Sequence, residues 1–364
     1  MIKKIDIRGF RCFENFTMNE VKPITIIGGR NNVGKTSLLE AILFPKVFKR
    51  SEVFLHLSNL RDIRNVSALS PVQFWNPLFY GINDTKKFSI KVYSNCEATT
   101  ELTIEKKYDE GLLFHNKDSF PQELEAHKKF SALKIELKIE ERTVDGEFTL
   151  DKDLNTNSTM LNFKLGKKSV DFKIPYSLEK IILYSSKTRY DVNVPEAVSK
   201  INLSRIKKNL LLSTLQKFDK TIVDVNTVIE NGIPYVFVTL ESEKVMPINY
   251  MGDGINKFME ILVCIINLPN GILLIDEIEN GLYYALYEEM LTVLCQTALD
   301  INCQLIMTTH NRDIIEALRD SMENLGHSDK LCYQRLGFSR GKHKTYPFFG
   351  ESLNTAFDLN IEMR

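Results

Sequence analysis

Gly29-Arg30-Asn31-Asn32-Val33-Gly34-Lys35-Thr36 fills every fixed position of the pattern G-x-x-x-x-G-K-[ST]. Glycines in such a loop let backbone amides curl around anionic oxygens. A helix starting near Lys35 points its positive dipole end at the same oxygens. Asn31, Asn32, Val33 and Ser37 belong to this cradle, Lys35 reaches the β- and γ-phosphates of a nucleotide, and Thr36 offers its hydroxyl to Mg²⁺. A second pattern is Ile272-Leu273-Leu274-Ile275-Asp276-Glu277. Four apolar residues predict a strand buried on both faces, with two carboxylates at its C-terminal end, where open parallel sheets bind ligands. By itself this is an acidic loop after a core strand. Beside a phosphate loop, Asp276 is suited to hold Mg²⁺ through water and Glu277 to orient or deprotonate the attacking water.

Two further pieces complete the chemistry. Leu305-Ile306-Met307 runs into Thr308-Thr309-His310, and a histidine directly after a buried strand can sense a γ-phosphate if its strand lies beside the acidic one. Asn249-Tyr250-Met251-Gly252-Asp253-Gly254 precedes residues with helical spacing over 255–267. A glycine turn there is either a second anion site formed by Gly252, Asp253 and Gly254, or a capping turn with Asp253 as N-cap. A phosphate loop and a separate second anion site together suggest nucleotide sandwiched between two copies of the chain.

The elements that must position these residues follow from periodicity. Residues 2–8 and 13–18 read as paired strands, and Val21 to Ile27 as the strand before the phosphate loop. Leu38, Leu39, Ile42 and Leu43 mark a helix that Pro45 ends. Residues 86–175 alternate with period two in several runs, which predicts a β-rich antiparallel insertion. Within it, Asp145-Gly146 and Gly166-Lys167 are expected turns and Val170 to Ile174 a further strand. Ile181 to Tyr184 reads as a strand, 195–218 as helical, and 234–248 as strand-like. The strands at 272–275 and 304–307, with a helix near 284–299 between them, imply parallel pairing with crossovers.

Composition limits the alternatives. The 47 basic and 47 acidic residues among 364 cancel, so bulk attraction to nucleic acid or an anionic membrane is not the default. No apolar run reaches the ~18–20 residues that span a bilayer, and the N-terminus alternates like a strand rather than a signal peptide. Six scattered cysteines form no Cys-x-x-Cys pair, as expected of reduced thiols in a cytoplasmic protein. The basic segment from Arg335 to Lys344 reads as a solvated hairpin, and Trp75 as a packing anchor.

This set of motifs resembles that of an ABC-class ATPase. The opening Ile7-Arg8-Gly9-Phe10-Arg11-Cys12-Phe13 looks like the start of the SMC, RecF and OLD-type branch. Gly252 to Lys257, with Asp276-Glu277-Ile278-Glu279-Asn280-Gly281-Leu282, resembles more narrowly the stand-alone AAA family ATPases of bacterial anti-phage defence. The resemblance implies an α/β, ABC-type P-loop NTPase core with a mainly parallel sheet, the β-rich insertion and a helical signature lobe. It divides the chain into a first ATPase half at 1–184, a helical lobe at 185–270 and a second ATPase half at 271–364. It implies Arg11 near the nucleotide, Glu277 as catalytic base and His310 as switch histidine. The expected cofactors are ATP and Mg²⁺; the expected partners are a second copy and a separate effector such as a nuclease or toxin, the alternative being a RecF-like clamp on DNA. Two positions depart from transporters: Gly252 replaces the signature serine and Asp253 its first glycine. Ser185 to Tyr190 falls where a Q-loop belongs but lacks a glutamine, leaving Gln73 as a candidate, and Tyr283 stands where relatives carry histidine. Glu351 to Arg364 resembles that group's C-terminus.

Overall fold

The computed structural model of the chain describes residues 1–45, 54, 57, 61, 71–81, 85–95, 99–109, 129–140, 142–153, 158–165, 180–185, 189–190 and 193–358. β1 (Ile2–Phe10) and β2 (Phe13–Met18) pair antiparallel, with Arg11 at φ 53° in the turn between them. β3 (Ile24–Gly28) runs into the glycine loop and α1 (Lys35–Leu43). After a short helix α2 (Pro71–Trp75) come β4 (Lys87–Ser94), β5 (Thr99–Asp109), β6 (Lys129–Ile139), β7 (Arg142–Asp153) and β8 (Ser158–Leu165). These strands join the first pair in one antiparallel sheet ordered β2-β1-β4-β5-β6-β7-β8.

β9 (Ile181–Ser185) and β10 (Arg189–Tyr190) return the chain to a second sheet. The lobe that follows holds α3 (Val194–Asn202), α4 (Arg205–Leu215), the antiparallel β11 (Ile222–Glu230), β12 (Ile233–Leu240) and β13 (Val245–Pro247), and α5 (Asp253–Ile266). Next are β14 (Ile272–Asp276), α6 (Tyr287–Asp300), β15 (Gln304–Thr308) and α7 (Arg312–Asn324). The hairpin β16 (Leu331–Ser339) and β17 (Lys342–Phe348) precedes α8 (Glu351–Asp358). The second sheet is ordered β10-β9-β14-β15-β3-β16-β17, and its five central strands are parallel.

The parallel strands are short and apolar because both faces are covered. Ile272 and Leu274 pack toward α1 and the antiparallel sheet, whereas Leu273 and Ile275 pack toward α5, α6 and α7. Two buried glutamines join the sheets. Gln304 accepts from the Ile2 amide and donates to the carbonyls of Ile2 and Lys22, and Gln334 donates to the Asn19 carbonyl at 2.6 Å. No helix among the described residues is long and apolar enough to cross a membrane.

Two expectations need correction. Asp145 and Gly146 are not a turn. They lie inside β7 opposite Glu136 and Ile135, and the chain reverses next to Glu140, at φ 53°. That register sets Leu137 against Val144 and Leu133 against Phe148, so these side chains and Ile135 stay buried on the core face. The helix expected over 195–218 is two helices, because Ser204 leaves the helix and caps the second with its hydroxyl. The β-rich insertion shares the core of the ATPase: Phe88 of β4 packs against Phe10, Phe44 and Phe79, in the same cluster as α1. Gly166-Lys167 and Val170 to Ile174 lie outside the described residues. Trp75 is fully buried against Phe54 and Phe74, and the lobe at 185–270 carries a small sheet as well as helices.

Candidate active site

The loop between β3 and α1 can only be built from glycine at its ends. At Gly29, φ is 142° and an added Cβ would lie 2.3 Å from the Leu336 carbonyl oxygen of β16. At Gly34, φ is 102° and a Cβ would meet the Cys12 sulfur at 2.6 Å. No side chain caps the N-terminus of α1, so its first amides face the position where an anion would sit. Lys35 folds back to donate to the carbonyls of Gly29 at 2.7 Å and Arg30 at 3.1 Å.

Parallel pairing of β14 between β9 and β15, with β3 on the far side of β15, brings the acidic residues to the same edge as this loop. Thr36 donates to Asp276 Oδ2 at 2.9 Å, and Thr308 donates to Asp276 Oδ1 at 2.6 Å. The Glu277 amide donates to the Thr308 hydroxyl at 2.9 Å, and Asn280 donates to Glu277 Oε2 at 2.6 Å. Glu277 itself takes φ 52°, a left-handed conformation that turns the chain sharply at the end of its strand. A cleft of about 610 Å³ is lined by Asn31, Asn32, Gly34, Lys35, Thr36 and Ser37, and by Arg11, Cys12, Arg61, Pro77, Glu277 and His310.

Burial opposes the charged forms of both Asp276 and Lys35. Burial pushes the Asp276 pKa up, against the hydrogen bonds from Thr308 and Thr36. Burial also pushes Lys35 down, opposed by Glu279, Asp276 and Glu277. Among the described residues no group of three or more His, Cys, Asp or Glu side chains could hold a metal ion alone. The adjoining oxygens of Thr36 and Asp276 do fit Mg²⁺, which binds through one or two protein oxygens together with substrate phosphates.

Arg11 lines the cleft, but its guanidinium is committed: Nε donates to Glu40 at 3.1 Å and Nη1 to the Pro77 carbonyl at 3.0 Å. Glu40, fully buried on α1, also receives Arg61, whose Nη2 reaches Ser37 Oγ at 2.9 Å. Arg61, Glu40, Thr308 and Glu279 were not anticipated. Glu40 carried a signal, an acid on the apolar Leu38-Leu39-Ile42-Leu43 helix that must find a cation; Arg61 has no local pattern. Gln73 is exposed and is not among the cleft residues. Ser185 is buried at the end of β9, in register with Asp276. The basic segment is the β16–β17 hairpin, whose Arg335, Phe338 and His343 wall a neighbouring cleft of about 650 Å³.

Gly252, Asp253 and Gly254 are not brought to this chain's own phosphate loop. Gly252, at φ 100°, is the N-cap of α5, so Asp253 is the first helical residue and not the cap. A Cβ on Gly254 would lie 3.3 Å from the Gly281 carbonyl, which packs the signature turn against the loop after Glu277. Lys257, one turn into α5, donates to the carbonyls of Glu277, Ile278 and Asn280.

A family model described as an AAA ATPase domain matches residues 1–315. The chain is 24% identical over 378 aligned residues to an "ATP/GTP phosphatase" of Helicobacter pylori, with 98% of both chains covered. A shorter match, 49% identical over 49 residues and 14% of each chain, is to the "DNA replication and repair protein RecF" of Acholeplasma laidlawii. Among solved structures, an Smc head bound to the C-winged helix domain of ScpA superimposes with a TM-score of 0.51 at 14% identity. That superposition covers 98% of this chain and 99% of the other.

Proposed function

The chain belongs to the AAA ATPase domain family and is an ATP-hydrolysing P-loop enzyme; from that premise we propose that it is of the SMC and RecF branch, binds ATP with Mg²⁺ between two copies of itself and uses closure of the pair to control a separate effector. The observation that carries this reading is one cleft holding Lys35, Thr36, Glu277 and His310, with Asp276 bonded to Thr36 at its floor. Lys35 leaves its loop carbonyls to pair with the β- and γ-phosphates. Thr36 and Asp276 hold Mg²⁺, which when bound neutralises charge on the phosphate oxygens. Glu277, its second oxygen steadied by Asn280, takes a proton from the attacking water. His310 contacts the γ-phosphate.

Gly252, Asp253 and Gly254 serve the partner copy's nucleotide. The exposed Tyr250, Tyr283 and Tyr284 around them support a self-associating surface. The role in anti-phage defence rests on the likeness of the Gly252–Lys257 and Asp276–Leu282 motifs. A second reading, a DNA-clamping repair ATPase, is favoured by the short match to RecF and by the basic hairpin β16–β17; binding of duplex DNA that rises with ATP would support it.

Glu277→Gln tests the leading reading. The amide keeps the shape of the site and loses the base, so phosphate release should fall by about a hundredfold or more. Light scattering should show the mass of this variant doubling on addition of ATP with Mg²⁺. Wild-type turnover would refute Glu277 as base, and a mass indifferent to ATP would refute the sandwich.

A further inference from the structure

The loop after Glu277 carries a second acid that the functional reading leaves unused. Glu279 is 7% exposed and bonds one residue twice: Oε1 accepts from the His310 backbone amide at 2.8 Å and lies 2.8 Å from His310 Nδ1. Two donors from one residue on a single oxygen fix both where the backbone of His310 sits and how its ring turns. With Nδ1–H committed to the carboxylate, Nε2 is the nitrogen left for the cleft that His310 lines. The other oxygen of Glu279 is buried without a hydrogen-bond partner among the described residues, an uncommon expense for a group that only braces a loop.

The loop that carries Glu279 is itself held through its backbone. The Ile278 amide donates to the Thr308 carbonyl at 3.0 Å, and the Leu282 amide to the Glu279 carbonyl at 3.1 Å. Lys257 secures the carbonyls of Glu277, Ile278 and Asn280 from α5. Lys257 thereby ties α5 to the loop that orients His310.

We propose that Glu279 is a positioning residue for ATP hydrolysis, which sets the tautomer and orientation of His310 so that Nε2 is presented to the γ-phosphate. This rests on the reading that His310 contacts that phosphate, and the experiment separates the two.

ATP hydrolysis is measured for the full chain, Glu279→Gln, His310→Ala and the double variant. Glu279→Gln and His310→Ala should each lower kcat, by about ten- to a hundredfold as orienting partners of a functional histidine do, with KM for ATP within about threefold of wild type. In the His310→Ala background, Glu279→Gln should cost no more than about a further twofold, because it acts through the missing ring. A double variant slower by the product of the two losses makes Glu279 a loop brace and overturns the proposal. So does wild-type kcat in Glu279→Gln. Wild-type kcat in His310→Ala removes the phosphate contact itself, and the proposal with it.

Should Glu279→Gln not fold, nitrogen NMR of the wild-type chain labelled at histidine decides. The His310 resonances, identified by their loss in His310→Ala, should report a proton on Nδ1, and protonation at Nε2 alone would overturn the assignment.

Discussion

Lys257 and Asp276 show how function at this site opposes stability residue by residue. Burial pushes the Lys257 pKa down to about 8, although Glu279, Glu277, Glu260 and Asp276 all favour its charge. Between about 8 and the ordinary value of 10.5, the unfolded chain holds a proton that the folded chain has shed, so the contribution of this lysine to stability rises with pH. Denaturant melts of wild type and Lys257→Met across that window should move apart in favour of wild type as pH increases. A gap that narrows instead would mean that the carbonyl cage outweighs the desolvation. Asp276 has the opposite sign, because a carboxyl held above its usual range by burial loses stability as pH rises through that range. Asp276→Asn should therefore raise the melting temperature of the nucleotide-free protein at neutral pH while ATP hydrolysis falls. A lowered melting temperature would show that the bonds from Thr36 and Thr308 stabilise the charge by more than burial costs it.

The loop between β3 and α1 is constrained by an element far away in sequence. Gly29 runs so close to β16 that a methyl group would overlap the Leu336 carbonyl, and its positive φ adds strain for any L side chain. Gly29→Ala should destabilise the fold by about 1–3 kcal/mol, read as a lower denaturant midpoint, and should weaken ATP binding. Retained stability would mean that β16 yields. The glycine pattern was legible in the sequence because it is local, whereas the reason for Gly29 depends on which strand lies beside β3. The turn misread at Asp145-Gly146 has the same origin. A turn dipeptide is a local preference, and the apolar register of β6 against β7 outweighs it.

Across the whole molecule the two sheets share one core through α1 and the N-terminal strands. β1 pairs with β2 on one side and β4 on the other, and Leu102, Ile104, Leu133, Ile135, Leu137 and Phe148 of the later strands are buried in the same cluster as Leu38 and Ile42. Removing residues 86–173 would uncover that core, not trim an appendage. The deletion should lose ATP affinity by calorimetry along with cooperative unfolding. A well-folded deletion that still binds ATP would show the antiparallel sheet to be dispensable.

Residue type and spacing by themselves determined the phosphate loop, the Asp276-Glu277 pair, the strand before His310 and the alternation of strands and helices, because each is encoded within about ten neighbouring residues. The tertiary structure alone decided that Arg61 joins Arg11 on Glu40, that Thr308 lies between Asp276 and Glu277, and that Glu279 holds His310. It also decided that Lys257 ties the signature helix to the catalytic loop. Those contacts join residues 21 to 32 positions apart, and those at Asp276, Glu277 and Glu279 depend on the order of strands in the parallel sheet. No periodicity along the chain records which strands become neighbours; burial of both sheet faces and hydrogen bonding of the backbone between adjacent strands select it.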